Sequence, residues 1–213
     1  MDRLPVIVRQ HIAAFRALLV FTVLCGLIYP FVMVGVSQVA FHNHANGSMV
    51  SYNDHVVGSS LLCQEFVDAK GNPLPQYFQP RPSAAVNASD KTDYGCDPGF
   101  SAASNLGPNN PELVKLIKQR QQAIAAFDHV PVSQIPPDAV TASGSGLDPD
   151  ISPAYADIQV NRVAAARHLP VSEVRDLVAK YTTGRTLGFL GEPTVNVLEL
   201  NIALDQLSAK SGG

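Results

Sequence analysis

The stretch Thr141-Ala142-Ser143-Gly144-Ser145-Gly146-Leu147-Asp148 holds the side chains best placed for nucleophilic chemistry. Ser145 sits between two glycines, as a serine on a sharp turn would. A nucleophile elbow, however, needs glycines two residues either side of its serine, and Ser143 takes one of those places. No histidine with a carboxylate partner is evident beside it. A Ser/Gly turn is the better reading, with glycine supplying positive φ and the hydroxyls bonding nearby backbone. His42 and His44 lie two apart in a polar stretch and read as solvent-exposed imidazoles. With no CxxC and no paired Cys/His spacing, metal binding is disfavoured. There is no Gly-x4-Gly-Lys-Ser/Thr loop for a nucleotide phosphate. The net charge of −3, without a Lys/Arg run interleaved with aromatics, argues against nucleic acid.

The elements that must position these residues fall into an anchor and a domain. From Ala17 to Phe41 there is no Asp, Glu, Lys or Arg. A helix of that length reaches roughly 37 Å, enough to cross about 30 Å of hydrocarbon with some tilt. A cleaved signal would have a shorter apolar run and a small-x-small site, which Val39-Ala40-Phe41-His42 does not offer. Gly26, Pro30 and Gly35 are tolerated in membrane helices, with Pro30 a candidate kink. Arg3, Arg9 and Arg16 precede the span and no Lys or Arg follows until Lys70, which keeps residues 1–16 in the cytoplasm. The expected organisation is therefore a cytoplasmic segment 1–16, a transmembrane helix 17–41, and a domain 42–213 in the periplasm (or outside a one-membrane cell).

Hydrophobic residues are 46% of the 213 and charged residues 15%, and 16 prolines and 15 glycines occur without period. This is a foldable, turn-rich chain with no repeat of solenoid length. Residues 42–60 read as a linker entering short strands. Asn110 as N-cap with Pro111 behind it starts a helix running from Asn109 to Phe127, its apolar face Leu113, Leu116, Ile117, Ile124 and Phe127. A second helix starts at Ser152-Pro153 and ends before Pro170. A third is capped by Ser172 and ends near Gly184. Thr194 to Leu200 reads as a buried strand leading into a short helix that ends near Leu207. The predicted fold class is α+β: one N-terminal membrane helix followed by one mixed helix/strand extracytoplasmic domain.

Cys25 lies in the anchor, as a packing or lipid-facing thiol. Cys63 and Cys96 fall in the exported part, where disulfides persist, and are the candidates for a bridge. Joining them closes a loop of about 33 residues, worth roughly 3–4 kcal/mol in the chain-entropy model. Two unpaired thiols are the alternative.

Several runs are too particular for ordinary loops: Tyr77-Phe78-Gln79-Pro80-Arg81-Pro82-Ser83-Ala84, Ser104-Asn105-Leu106-Gly107-Pro108, Val140 to Pro149, Gln159 through Arg162 to Arg167, and Val195 to Asn201. In this order, behind one anchor, they resemble the C subunit of the Kdp-type potassium-transporting ATPase over nearly the whole chain. Cys63 stands where the family has Gly, Ala102-Ala103 where Gly-Gly is common, and Asp150 where His is usual. Asp90-Lys91-Thr92 is similar to the opening of a P-type phosphorylation site. Asp93, however, replaces the expected Gly, and nothing else of that machinery accompanies it.

The resemblance implies an inner-membrane accessory subunit without catalytic residues or a cofactor of its own, in a complex that uses ATP and Mg2+ and moves K+. Its partners would be a channel-like potassium subunit, a P-type ATPase subunit, a small membrane peptide and membrane lipid, and the family role proposed is a catalytic chaperone raising ATP affinity. The candidate contact or functional loops are Arg81, Pro82 and Ser83, then Ser104, Asn105, Gly107 and Pro108, then Thr141, Ser143, Gly144, Ser145, Gly146 and Asp148, with Gln159 and Arg162. An external cap could present carboxylates such as Asp97 and Asp148 to entering cations, a hard-cation preference for oxygen. The plainer reading makes Asp148 and Arg162 structural. The competing classes are a membrane-anchored periplasmic hydrolase using Ser143 or Ser145 and a binding module unconnected to transport.

Overall fold

The structure is a computed structural model and describes residues 4–87, 89 and 94–211; the Asp90-Lys91-Thr92-Asp93 run lies outside them. Its contacts divide the chain into two units, Met1–Ser48 and Met49–Gly213.

The first unit is one long helix of 35 residues, Val6–Ala40, with a mean hydropathy of 2.5 in its most apolar stretch. It comprises α1 (Val6–Val23), a π-helical turn (Leu24–Ile28) and α2 (Tyr29–Ala40). Helix begins well before Ala17 because Arg9 and Arg16 restrict what enters hydrocarbon, not what forms a helix. The candidate kink at Pro30 takes the form of the π turn. Pro30 has no N–H for the Gly26 carbonyl and its ring crowds it, and the Tyr29 N–H bonds back five residues to Leu24 O. No residue of α1 or α2 is buried, and Cys25 is a free, exposed thiol. A short turn, α3 (His42–Ala45), follows, tied by Asn46 Nδ2 donating to His42 O at 2.6 Å.

The second unit opens with a hairpin, β1 (Met49–Tyr52) and β2 (His55–Ser59), paired antiparallel. Asn53 and Asp54 both take positive φ at its turn, the conformation for which Asn and Asp are suited. A long irregular segment leads to α4 (Pro111–Asp128) and α5 (Pro137–Val140), then β3 (Asp150–Ile151), α6 (Pro153–Arg167), α7 (Val171–Lys180), β4 (Thr182–Thr183), β5 (Thr194–Asn196) and α8 (Val197–Ser211). The small sheet has the order β3-β5-β4, antiparallel throughout. The expected α+β class is the observed one.

The core gathers around α6, which buries Tyr155, Ala156, Val160, Val163 and Ala164 against Val174, Val195 and Leu204 from the elements that follow it. Local signals account for its helices. Asn110 Oδ1 accepts from Glu112 N and Ser152 Oγ from Tyr155 N, each with proline at the next position, and His129 and His168 close α4 and α6 in the left-handed conformation.

Two expectations need correction. The strand expected over Thr194–Leu200 is three residues long. At Asn196 the chain turns into α8, because Asn196 Oδ1 accepts from Glu199 N at 3.1 Å and caps a fully helical apolar run. The third helix starts at Val171 behind Pro170, not at Ser172, and stops at Lys180, where Thr182 and Thr183 pair with β5.

Candidate functional site

Four of the five particular runs of the sequence meet in one network of loops, and nearly every polar side chain named in it bonds inward. Its centre is α6. Gln159 is fully buried; its Oε1 accepts Gln79 N at 2.7 Å and its Nε2 donates to Gln79 O at 3.2 Å. One turn on, Arg162 donates through Nε to Asp128 Oδ1 at 2.7 Å, through Nη1 to Pro75 O and Tyr77 O, and through Nη2 to Gln159 Oε1. Its guanidinium also lies 4.3 Å from the centre of the Phe127 ring. Burial pushes the Asp128 carboxyl up, and Arg162 opposes that push. Asn201 of α8 holds the next residue the same way, accepting Phe78 N and donating to Phe78 O, both at 2.9 Å. Arg167 donates to Gln76 O and pairs with Asp205. Five consecutive residues, Pro75 to Gln79, are thus gripped by amide and guanidinium groups that stand in for the ladder a neighbouring strand would supply. A buried backbone group needs some such partner.

The Ser/Gly turn is the second part. Ser143 Oγ accepts Gly146 N and Ser145 Oγ accepts Leu147 N, so both hydroxyls brace their own turn. Gly146 has φ +71°, and a Cβ there would stand 2.4 Å from Ala102 O. Ser83 Oγ donates to Gly146 O at 2.7 Å while accepting Ala85 N and Cys96 N. Arg81 pairs with Asp148 at 2.8 Å and leans on Thr141 O. Beside this turn, Cys63 and Cys96 form a disulfide with Cα atoms 5.4 Å apart, and Cys63 N donates to Leu147 O. Asp97 Oδ1 accepts Gly99 N.

Other expected residues stand apart. Ser104, Asn105, Gly107 and Pro108 are exposed, with Asn105 at φ +51° and its Nδ2 donating to Ala103 O. Gly144 is exposed too, and Pro82 is half-buried along a cleft of about 260 Å³ beside Phe127 and Tyr155. Sequence reasoning did not single out Asp128 or Gln79 as partners, although Gln79 lies in a quoted run. Among the described residues, no three His, Cys, Asp or Glu side chains converge as a metal site requires.

The family model of the K+-transporting ATPase c chain, KdpC, matches residues 11–206. The chain belongs to the KdpC family. It is 49% identical over 197 residues to the potassium-transporting ATPase KdpC subunit of Beijerinckia indica, covering 92% of this chain and 93% of that one. It is 50% identical over 192 residues to the KdpC subunit of Sorangium cellulosum (90% and 95%), and 45% identical over 217 residues to that of Streptomyces coelicolor (96% of each). As a KdpC-family chain it is a subunit of a membrane-bound K+-transporting ATPase. Its apolar helix fits a single-pass membrane protein.

Proposed function

We propose that this chain is the extracytoplasmic accessory subunit that holds a potassium pump together and carries out none of its chemistry. The observation that carries this reading is the inward bonding of the loop cluster. Ser143 and Ser145 brace their own turn, and Arg81, Asp148, Gln159 and Arg162 are each committed to another part of the same domain. Such a domain is a rigid body with preset loops, suited to bridging other subunits. A hydrolase reading draws no support from it, since both serine hydroxyls brace backbone N–H groups. A cation-guiding cap draws less than the clamp does, because Asp148 is already held by Arg81.

The charge pattern supports an N-terminus in the cytoplasm and residues beyond about 42 outside the inner membrane: Arg9 and Arg16 lie on one side of the span, and no Lys or Arg follows it until Lys70. In that orientation the domain has no access to cytoplasmic ATP, so any raising of ATP affinity acts through the partner ATPase. The clamp would join the channel-like and the ATP-hydrolysing subunits, together with the small peptide.

The test is removal. Pump expressed without this chain is expected to fall apart in mild detergent and to lose K+-stimulated ATPase activity, with both restored on co-expression. A stable, K+-stimulated pump lacking the chain would overturn the proposal. Fusion of alkaline phosphatase to the C-terminus should give active enzyme, and an inactive fusion would reverse the orientation.

A further inference from the structure

Between β4 and β5 the chain makes a tight loop whose composition contradicts its position. Thr186 and Leu190 bond to each other in both directions, Thr186 N to Leu190 O and Leu190 N to Thr186 O, each at 2.9 Å. At the tip, Leu187 has φ +55° and Gly188 φ +82°, the pair of positive φ angles typical of a I′ turn. That turn favours Asn, Asp or Gly at its first central position. Leucine there is an outlier, because a bulky Cβ-bearing side chain is disfavoured at positive φ. The tip stays largely in water: Leu187 is 79% exposed, Phe189 69% and Leu190 49%. Among the described residues little burial of Leu187 offsets this strain, and strained backbone that presents a side chain outward is a mark of a functional surface.

The base of the loop is strapped. Arg185 donates to Gly191 O and pairs with Glu192, so the one cation and the one anion of the loop neutralise each other. The tip is therefore apolar, uncharged and held in shape before it meets anything. This charge pattern decides among occupants. A loop that docks on anionic headgroups gains from unpaired Lys or Arg beside its apolar tip, and here the only arginine of the loop is spent on Glu192. A second copy is disfavoured by size, since the tip offers only a few hundred Å² against the roughly 800 Å² per partner of a free-standing dimer. An uncharged tip carrying an aromatic ring instead has the composition of the core of a larger protein contact, which is depleted of charge and enriched in Phe, Tyr and Trp.

We infer that Leu187, Phe189 and Leu190 form an anchoring finger that inserts into an uncharged apolar recess on another subunit of the same pump. This rests on the accessory-subunit reading above and gives it a contact point. The recess it needs is concave and apolar, large enough for one phenyl and two isobutyl groups.

The experiment places a photo-reactive benzoyl-phenylalanine at Phe189 in the full chain, within the assembled pump in native membranes, and identifies adducts by mass. A covalent adduct with another pump subunit is expected, and none from the same probe at Val132, an exposed apolar residue elsewhere in the domain. An adduct with lipid only, with a second copy only, or no adduct would overturn the finger. In parallel, L187G and F189S are compared with the wild-type chain. L187G removes the strain, so it should leave the chain's own thermal midpoint unchanged or raised, while each variant lowers recovery of the other subunits at least several-fold. Recovery unchanged in both overturns the inference. If the wild-type chain brings no pump subunit with it, the accessory-subunit reading itself has failed. A wild-type chain that assembles without a Phe189 adduct defeats only the finger.

Discussion

Arg162 and Asp128 form a 2.7 Å ion pair whose side chains are only 5% and 3% exposed, joining the middle of α6 to the last residue of α4. The same guanidinium feeds three further acceptors on Pro75, Tyr77 and Gln159. A pair so far from water is a poor source of net stability but a costly one to break, because the survivor is left charged and unsolvated. R162A should therefore destabilise the chain by about 3–5 kcal/mol. Urea unfolding of the detergent-solubilised full chain would show it, followed by circular dichroism because the sequence has no tryptophan. A loss under 1 kcal/mol would mean that the Pro75–Gln79 segment is held by other groups.

Gly146 is the second fixed point. Alanine there meets a carbonyl oxygen at 2.4 Å and a backbone that disfavours any Cβ. G146A is expected to cost about 2 kcal/mol or more, since the Ala102 carbonyl and the Ala85 N, 2.9 Å from that Cβ, are both backbone atoms with little room to yield. S143A and S145A should each cost about 1 kcal/mol in the same assay and leave the turnover of the assembled pump unchanged. Loss of turnover without loss of assembly in S145A would restore the serine as a chemical group.

The Cys63–Cys96 bridge gives a third prediction. Without reductant the full chain should show one alkylatable thiol, Cys25, and with reductant three. The C63A/C96A double variant should lose roughly 3–4 kcal/mol, the cost of reopening a loop with a sequence separation of 33. Three reactive thiols without reductant would contradict the bridge.

Tyr77 supplies a pH dependence. Burial raises its phenol above the ordinary value, and the nearby Asp205 carboxylate adds to that. A group whose folded pKa lies above its unfolded one stabilises fully below the unfolded value, about 10, and that contribution is lost as pH rises through the folded value. The thermal midpoint of wild type should thus fall more steeply above about pH 10 than that of Y77F. Equal slopes would show that Tyr77 titrates as it does unfolded.

The helices were legible wherever their signals are local. Asn110-Pro111 and Ser152-Pro153 cap and start α4 and α6 where the sequence places them, because capping involves neighbours only. The start of α8 was not, since Val-Asn-Val-Leu is apolar enough for a buried strand and helix alike; Asn196 settles it by capping. The candidate loops were visible as unusual runs, but not what they do. Asp128 reads as a polar helix end until α6 brings Arg162 to it, 34 residues away. The exposed Leu187 turn was hidden for a different reason: a Leu-Gly pair carries no turn signature, and its strain exists only in the folded backbone.

The central claim is that this chain binds the other pump subunits and acts by holding them. Purifying the tagged full chain from membranes at native expression and identifying what accompanies it tests this most directly. The expected result is a channel-like potassium subunit and a P-type ATPase recovered in equal amounts with the chain, the ATPase active and K+-stimulated. Recovery of the chain alone, or with proteins unrelated to potassium transport, would contradict the account.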